Sequence, residues 1–135
     1  MAPVMLYVGS GYERKGLPSL LHALKHMQRT DAVLWVVGRD KQESLMRNLA
    51  QTLGVDQRVM FLGAQTDVRP FYGAADLFVL PTHYDPLPNA ALEALACGLP
   101  VLTTDTCGAA ELLDADSGRV VKAGDVAAIA AGLDE

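Results

Sequence analysis

The chain has 135 residues, of which 50% are apolar, 6% aromatic and 20% charged, and its formal net charge at pH 7 is −5. This length predicts one domain with a substantial core, and the composition excludes a disordered or membrane-spanning protein. The acidic balance, without a basic face, argues against nucleic acid as a partner. The sequence shows no transmembrane segment, no amino-terminal signal pattern and no disulfide framework, which predicts a cytoplasmic protein. We expect Cys97 to be a small buried residue and Cys107 to be a loop thiol.

Short apolar runs alternate with stretches of helical periodicity along the whole chain. The apolar runs end at glycine or polar residues and predict strands at residues 4–8, 33–37, 59–62, 77–80, 101–103 and 119–121. The periodic stretches predict helices at 17–27, before Gly54, from a capping Asp67 to Tyr72, before Gly98, near 109–113 and from Asp125. Strands and helices that alternate with short links predict an α/β fold, a Rossmann-like three-layer domain with a parallel sheet of about six strands.

The loop after the strand 77–80 is predicted to line a ligand crevice, because loops at the carboxyl ends of parallel strands face the ligand in such folds. Asp85 lies in this loop, and Glu93 follows eight positions later, about one turn into the next helix. The amino end of a helix favours anions and oxygen-rich ligands, and a carboxylate can accept two hydrogen bonds from a vicinal diol such as ribose. The alternative is that Asp85 caps the helix and Glu93 is only solvated.

The loop 9–16 after the first strand is the second candidate site. It begins like a dinucleotide fingerprint, but Arg14 stands in the place of the third glycine. It also differs from a Walker loop, because Gly16 follows Lys15 where that loop has Ser or Thr. The helix dipole disfavours cations at this helix end, so Arg14 and Lys15 indicate a bound anion such as a diphosphate. The alternative is two solvated surface cations.

In order and spacing, these pieces resemble the carboxyl-terminal, nucleotide-binding domain of GT-B retaining glycosyltransferases, specifically the large family-4 group. The resemblance covers nearly the whole chain, and the loops 9–16 and 103–108 are most similar to those of lipopolysaccharide core glucosyltransferases of Gram-negative bacteria. The residues that carry it are Val8-Gly9-Ser10, Arg14-Lys15-Gly16, Val37-Gly38, Arg58-Val59, Phe61-Leu62-Gly63, Ala74-Ala75-Asp76-Leu77, Asp85, Leu92-Glu93-Ala94-Leu95-Ala96-Cys97-Gly98-Leu99-Pro100-Val101, Ser117-Gly118, Val120-Val121 and Gly124-Asp125.

The resemblance implies roles for the matching residues. Arg14 and Lys15 would bind the donor diphosphate and offset charge on the leaving group. Asp85, where the family usually has Glu, would lie near the donor sugar, which gives these three residues catalytic roles. Glu93 would bind the ribose hydroxyls, and the backbone of 63–65 would read the base, commonly uracil. The donor-binding residues implied are Gly9, Ser10, Arg14, Lys15, Gly63, Ala64, Gln65, Asp85, Leu87, Asn89, Ala90 and Glu93.

Two prolines distinguish the loop around Asp85 from the usual family form. Pro86 and Pro88 have no backbone N–H, so Leu87 and Asn89 remain as the backbone donors there. This loop therefore does not specify the donor sugar, and its Asp-Pro form resembles the lipopolysaccharide branch of the family.

The function implied is that of a donor-binding domain in a retaining glycosyltransferase. It would transfer a hexose, glucose first among them, from a nucleotide diphosphate sugar such as UDP-glucose to a glycan, lipid-linked or lipopolysaccharide core acceptor, without a cofactor. We expect residues 1–135 to be this single domain, with an amino-terminal acceptor domain and final carboxyl-terminal helices of the full-length protein outside it. The isolated domain is expected to bind nucleotide weakly and to transfer no sugar, and the full-length protein to be cytoplasmic or peripheral at the inner membrane.

Other assignments were weighed against this one. Asp114-Ala115-Asp116 has the Asp-x-Asp form of metal-dependent glycosyltransferases, but turn chemistry accounts for it, and no metal is expected. His22, His26 and His83 have no sequence neighbours that would complete a metal site. A UDP-sugar 2-epimerase of the same architecture and a non-catalytic nucleotide-binding module remain open alternatives.

Overall fold

The protein forms one parallel six-stranded sheet covered by helices, in a computed structural model that describes residues 2–85, 88–113 and 117–134. The strands are β1 Val4–Val8, β2 Val33–Val37, β3 Val59–Gly63, β4 Leu77–Leu80, β5 Val101–Thr104 and β6 Gly118–Val121. The helices are α1 Leu17–His26, α2 Glu43–Leu53, α3 Arg69–Ala74, α4 Asn89–Ala96 and α5 Val126–Asp134, with 3₁₀ turns at Asp56–Arg58 and Ala110–Leu112.

The order of the strands in the sheet is β3-β2-β1-β4-β5-β6, and every neighbouring pair is parallel. The chain order therefore reverses between β1 and β4, which is the topological switch point where Rossmann-like folds bind ligands. Right-handed crossovers put α1 and α2 on one face of the sheet and α4 on the other. The predicted fold class is confirmed, and the loops after β1 and β4 lie side by side at the switch point.

The core explains why the strands read as continuous apolar runs. Leu6, Leu34, Phe78 and Leu102 are fully or almost fully buried in the middle strands, as expected for a parallel sheet that is covered on both faces. The helix α1 buries leucines at helical spacing against this sheet. Each such side chain stabilises the fold by roughly 1.5–3 kcal/mol through burial.

Several predicted boundaries shift by one or two residues. The helix α3 begins at Arg69 with Val68 in the N-cap position, so Asp67 is not the cap residue. Its carboxylate nevertheless accepts a hydrogen bond from the Arg69 N–H at 3.1 Å. The stretch 109–113 contains only the short 3₁₀ turn. Asp125 precedes α5 and accepts the Ala128 N–H at 3.0 Å, which satisfies one free donor of that helix end.

The prediction that Cys97 is buried was wrong, whereas Cys107 lies in a loop as predicted. Cys97 is exposed, because it follows the last turn of α4 on the solvent side. Cys107 is buried, because the backbone around it pairs with the loop at Asp85. No helix in the described ranges is long and apolar enough to cross a membrane.

Candidate functional site

The loops after β1 and β4 are joined through Arg14. Its carbonyl accepts hydrogen bonds from the His83 N–H at 2.8 Å and the Thr82 hydroxyl at 3.2 Å. Its guanidinium donates back to the Tyr84 carbonyl at 2.8 Å. We call the space between these two loops the crevice. Hydrogen bonds at the backbone carbonyl and at the guanidinium thus hold the exposed Arg14 at the rim of the crevice.

Gly16 allows the two loops to come this close. It occupies the N-cap position of α1 with φ at +83°, a backbone conformation that side chains with a Cβ rarely adopt. A Cβ at Gly16 would lie 1.8 Å from the Pro81 carbonyl oxygen. Only glycine fits between the start of α1 and the end of β4.

Lys15 and Asp85 form an ion pair inside the crevice. The Lys15 Nζ lies 3.5 Å from the Asp85 Oδ2, and the two side chains are 21% and 8% exposed. The Asp85 Oδ2 has no hydrogen-bond partner in the described part of the chain. Such an orphaned acceptor is uncommon in a buried position, so it marks a place where a ligand hydroxyl or a water can bind.

Threonine hydroxyls hold the loop at Asp85 in place. The carbonyl of Thr82 accepts hydrogen bonds from the hydroxyls of Thr104 at 2.6 Å and Thr106 at 3.0 Å. The Asp85 N–H donates to the Thr106 carbonyl at 3.3 Å, and the Asp85 carbonyl accepts the Gly108 N–H at 2.8 Å. The backbone of Asp85 is therefore fixed to the loop after β5.

The alternative that Asp85 caps α4 is wrong. Pro88 takes the N-cap position of that helix, and no side chain of the described residues caps it by a hydrogen bond. The Asp85 side chain instead faces Lys15.

Asp40, which follows β2, also stabilises the loop after β1 by accepting backbone hydrogen bonds. Its carboxylate accepts the Gln42 N–H at 2.9 Å and the Tyr12 N–H at 3.0 Å. Hydrogen bonds from the backbone of Gln42 and then Tyr12 hold the pKa of Asp40 below its usual range. The buried Tyr12 adds a bond from its hydroxyl to the Gly38 carbonyl at 3.1 Å. These hydrogen bonds therefore stabilise the turn that precedes Arg14 and Lys15.

Glu93 lies in a second concavity, between α3 and α4. The Tyr72 hydroxyl is 3.3 Å from the Glu93 Oε2 and 3.1 Å from the Ala90 carbonyl. Burial, and after it the negative charge of Glu93, raises the pKa of the Tyr72 hydroxyl above its ordinary value. We call this concavity, of about 620 Å³, the α3–α4 groove; its walls are Thr66, Asp67, Val68, Arg69, Tyr72, Glu93, Ala96 and Cys97.

The remaining predicted residues surround these two features. Ser10, Ala64 and Gln65 are exposed, and the Gln65 amide donates to the Leu62 carbonyl at 2.7 Å. Gly9 and Gly63 follow and end their strands, and both take part in backbone hydrogen bonds between neighbouring strand ends. Asn89 and Ala90 form the first turn of α4. Leu87 lies outside the described residues, as do Pro86 and the Asp114–Asp116 segment.

The described ranges contain no group of three or more His, Cys, Asp or Glu side chains close enough to hold a metal ion. His22 and His26 are exposed on α1. His83 is exposed beside Arg14 and lines an open concavity with Asp40.

The sequence did not reveal Tyr72, Asp40 or the threonine hydroxyls. Tyr72 comes from a short helix that carries no binding motif, and its importance depends on a contact 21 positions away in the chain. Asp40 had a usable signal, because it follows the glycine that ends β2 and precedes a helix, where Asp often accepts backbone N–H groups.

The two concavities offer complementary groups, one set for an anion and one for a diol. Arg14 and Lys15 offer positive charge and N–H donors in the crevice. Glu93 offers carboxylate acceptors in the α3–α4 groove. A nucleoside diphosphate has both groups.

Comparisons with known proteins show the family of the chain. The family described as glycosyl transferases group 1 matches residues 2–135. The chain is 36% identical over 135 residues to the lipopolysaccharide core biosynthesis glycosyltransferase LpsE of Rhizobium meliloti, covering 99% of this chain and 39% of LpsE. It is 38% identical over 122 residues to the lipopolysaccharide glucosyltransferase WaaG of Escherichia coli, covering 87% of this chain and 32% of WaaG.

Solved structures of known proteins have the same fold as this chain. The crystal structure of WaaG matches with a TM-score of 0.90 at 35% identity, over 98% of this chain and 37% of WaaG. HepE of Anabaena, solved in complex with UDP and glucose, matches with a TM-score of 0.87 at 25% identity, over 96% and 37% of the two chains. The chain thus spans between 32% and 39% of the length of these relatives. It belongs to the group 1 glycosyl transferases and is related to the lipopolysaccharide core glycosyltransferases.

Proposed function

We propose that the chain is the donor-binding domain of a retaining glycosyltransferase that transfers a hexose from a UDP-sugar to a lipopolysaccharide core or other glycan acceptor. The observation that carries the proposal is the meeting of Arg14, Lys15 and Asp85 at the switch point, where two loops are tied by direct hydrogen bonds. The named activity of WaaG and the UDP and glucose bound to HepE support a glucose donor.

Arg14 and Lys15 are proposed to bind the donor diphosphate. One Arg14 N–H is used by the Tyr84 carbonyl, which leaves the other guanidinium donors for phosphate oxygens. Two cations offset the charge that develops on the diphosphate when the bond to the sugar breaks. They supply the positive charge that a metal ion would otherwise supply, so we propose that the reaction needs no metal or cofactor.

Asp85 is proposed to act on the donor sugar from beside the diphosphate. Among the described residues its Oδ2 has no hydrogen-bond partner, and the Lys15 ammonium lies 3.5 Å from it. When Lys15 turns toward a phosphate, this oxygen becomes an acceptor for a sugar hydroxyl. The transfer is proposed to retain the anomeric configuration by front-face attack, with the leaving diphosphate taking the acceptor proton.

The nucleoside is proposed to lie along the α3–α4 groove. Glu93 accepts hydrogen bonds from the ribose hydroxyls, and backbone groups of Gly63, Ala64 and Gln65 read the base. Gly9, Ser10, Asn89 and Ala90 border the donor, since they lie at the ends of β1 and the start of α4.

The acceptor is proposed to be bound by an amino-terminal domain of the full-length protein. The relatives are longer than this chain, which leaves room for such a domain. We also propose a cytoplasmic location, peripheral at the inner membrane where a lipid-linked acceptor is held.

The test is a titration of the 135-residue chain with UDP, GDP and ADP, followed by NMR, which measures weak binding. Arg14→Ala and Glu93→Ala should each weaken UDP about ten- to a hundredfold, because each removes a charge-assisted contact. Lys25→Ala is the matched control, since it removes an exposed positive charge from the last turn of α1, at the helix end opposite to Arg14. Lys15→Ala is less clean, because it also leaves the buried carboxylate of Asp85 unpaired.

Unchanged UDP binding in both variants would refute the site. Preference for GDP or ADP would keep the site and change the donor. The full-length protein is then incubated with UDP-glucose and an acceptor. A glycosylated acceptor indicates sugar transfer, a sugar inverted at C2 indicates a 2-epimerase, and an unchanged donor indicates a non-catalytic binding module.

A further inference from the structure

The orientation of the Glu93 carboxylate is set by a partner outside its own helix. Glu93 is exposed in the second turn of α4, and a free glutamate side chain has many rotamers. Fixing such a side chain costs conformational entropy. The Tyr72 hydroxyl, 3.3 Å from the Glu93 Oε2, is in place to limit these rotamers before a ligand binds.

Tyr72 is well suited to hold another side chain, because its own ring cannot move freely. The residue is only 3% exposed, and its ring packs against Phe78 of β4 with centroids 6.2 Å apart. A tyrosine with a fixed ring has a fixed hydroxyl oxygen, since the oxygen lies on the ring axis. The packing of the ring against the sheet therefore fixes the position of the hydroxyl at the α3–α4 groove.

The hydroxyl has one proton and two acceptors, Glu93 and the Ala90 carbonyl. A hydrogen bond to an ionised carboxylate is the stronger of the two kinds, so the proton favours Glu93. The carbonyl of Ala90 lies in the first turn of the same helix, so both contacts fix α4 relative to Tyr72. Glu93 lines the α3–α4 groove, and its second carboxylate oxygen is not used by Tyr72.

We propose that Tyr72 is a positioning residue for ribose recognition: it holds the Glu93 carboxylate where it accepts the 2′ and 3′ hydroxyls together. This inference rests on the proposed function and goes beyond it, because it assigns the discrimination between ribose and deoxyribose to a pair of side chains. Tyr72 itself is only 3% exposed, so its proposed effect on ribose binding is exerted through Glu93.

The experiment compares UDP with 2′,3′-dideoxy-UDP on the wild-type 135-residue chain, Tyr72→Phe, Glu93→Ala and the double variant. Tyr72→Phe keeps the ring and its packing and removes only the hydroxyl. It should weaken UDP about fivefold, the equivalent of one net hydrogen bond, and leave dideoxy-UDP within about twofold. The double variant should bind UDP no more weakly than Glu93→Ala alone, because Tyr72 acts through Glu93.

The outcomes separate the two proposals. Equal weakening of both nucleotides by Tyr72→Phe would give Tyr72 a structural role and overturn this inference alone. The same holds if Glu93→Ala weakens UDP and Tyr72→Phe does not. If Glu93→Ala leaves UDP unchanged, or the wild type does not bind UDP, the proposed nucleoside site fails and this inference fails with it.

Discussion

Replacing Gly16 by alanine tests the contact that brings the two loops of the crevice together. The substitution places a Cβ at φ +83°, which costs about 1–2 kcal/mol in the backbone alone. The Cβ would also lie 1.8 Å from the Pro81 carbonyl oxygen, where ordinary contact begins near 3.4 Å. The loops must therefore separate by more than 1 Å, which strains the bonds between Arg14 and the loop after β4. We expect a total loss of about 3–5 kcal/mol.

Gly54→Ala is the matched control. Gly54 has φ at +76°, and a Cβ there meets no atom within 4 Å in the described part of the chain. It therefore carries the backbone cost without the overlap, and both substitutions stiffen the unfolded chain equally. Thermal unfolding followed by circular dichroism should show a fall in Tm of about 10 °C or more for Gly16→Ala and about 5 °C for Gly54→Ala. Equal falls, or full UDP binding by Gly16→Ala, would refute the reasoning.

Two further predictions use the groove and the loop after β1. Cys97 is exposed on the wall of the α3–α4 groove and Cys107 is 4% exposed, so Ellman's reagent should modify Cys97 alone in the native protein. UDP at ten times its Kd should slow that reaction about tenfold; an unchanged rate would place the ribose elsewhere. Asp40 has a folded-state pKa below its usual value of 3.8, so its contribution to stability is present above that pH and lost as the pH falls through the folded pKa. The Tm difference between wild type and Asp40→Asn should therefore narrow as the pH falls below about 4, and a gap that is constant with pH would contradict this role.

The fold could be predicted because its signals are local. Each of the strands 4–8 and 33–37 is a continuous apolar run, which is what burial on both faces of a parallel sheet requires. The same pattern predicted a crevice at the loop after β4, because loops at the carboxyl ends of parallel strands face the ligand. The strand order, which places the switch point between β1 and β4, came only from the structure. Arg14 and Lys15 stood out because cations at the amino end of a helix oppose the dipole.

The contacts that complete the site could not be predicted, because they join distant parts of the chain. Arg14 reaches a carbonyl 70 positions away, and Tyr72 reaches Glu93 across 21 positions. The burial predicted for Cys97 was wrong, and the burial of Cys107 was not predicted. The exposure of Cys97 depends on where α4 ends, and the burial of Cys107 depends on a bridge to another loop.

The polar groups of the site divide into those that build it and those left for a ligand. Backbone groups and threonine hydroxyls join the loops to one another, so the frame is complete without a ligand. The charged side chains keep free capacity: Arg14 has further N–H donors, Asp85 has an acceptor without a hydrogen bond in the described chain, and Glu93 has a second carboxylate oxygen. Polar groups held on a rigid frame lose little entropy on binding. We therefore propose that these three side chains determine the choice of ligand, rather than the volumes of the open crevice and groove.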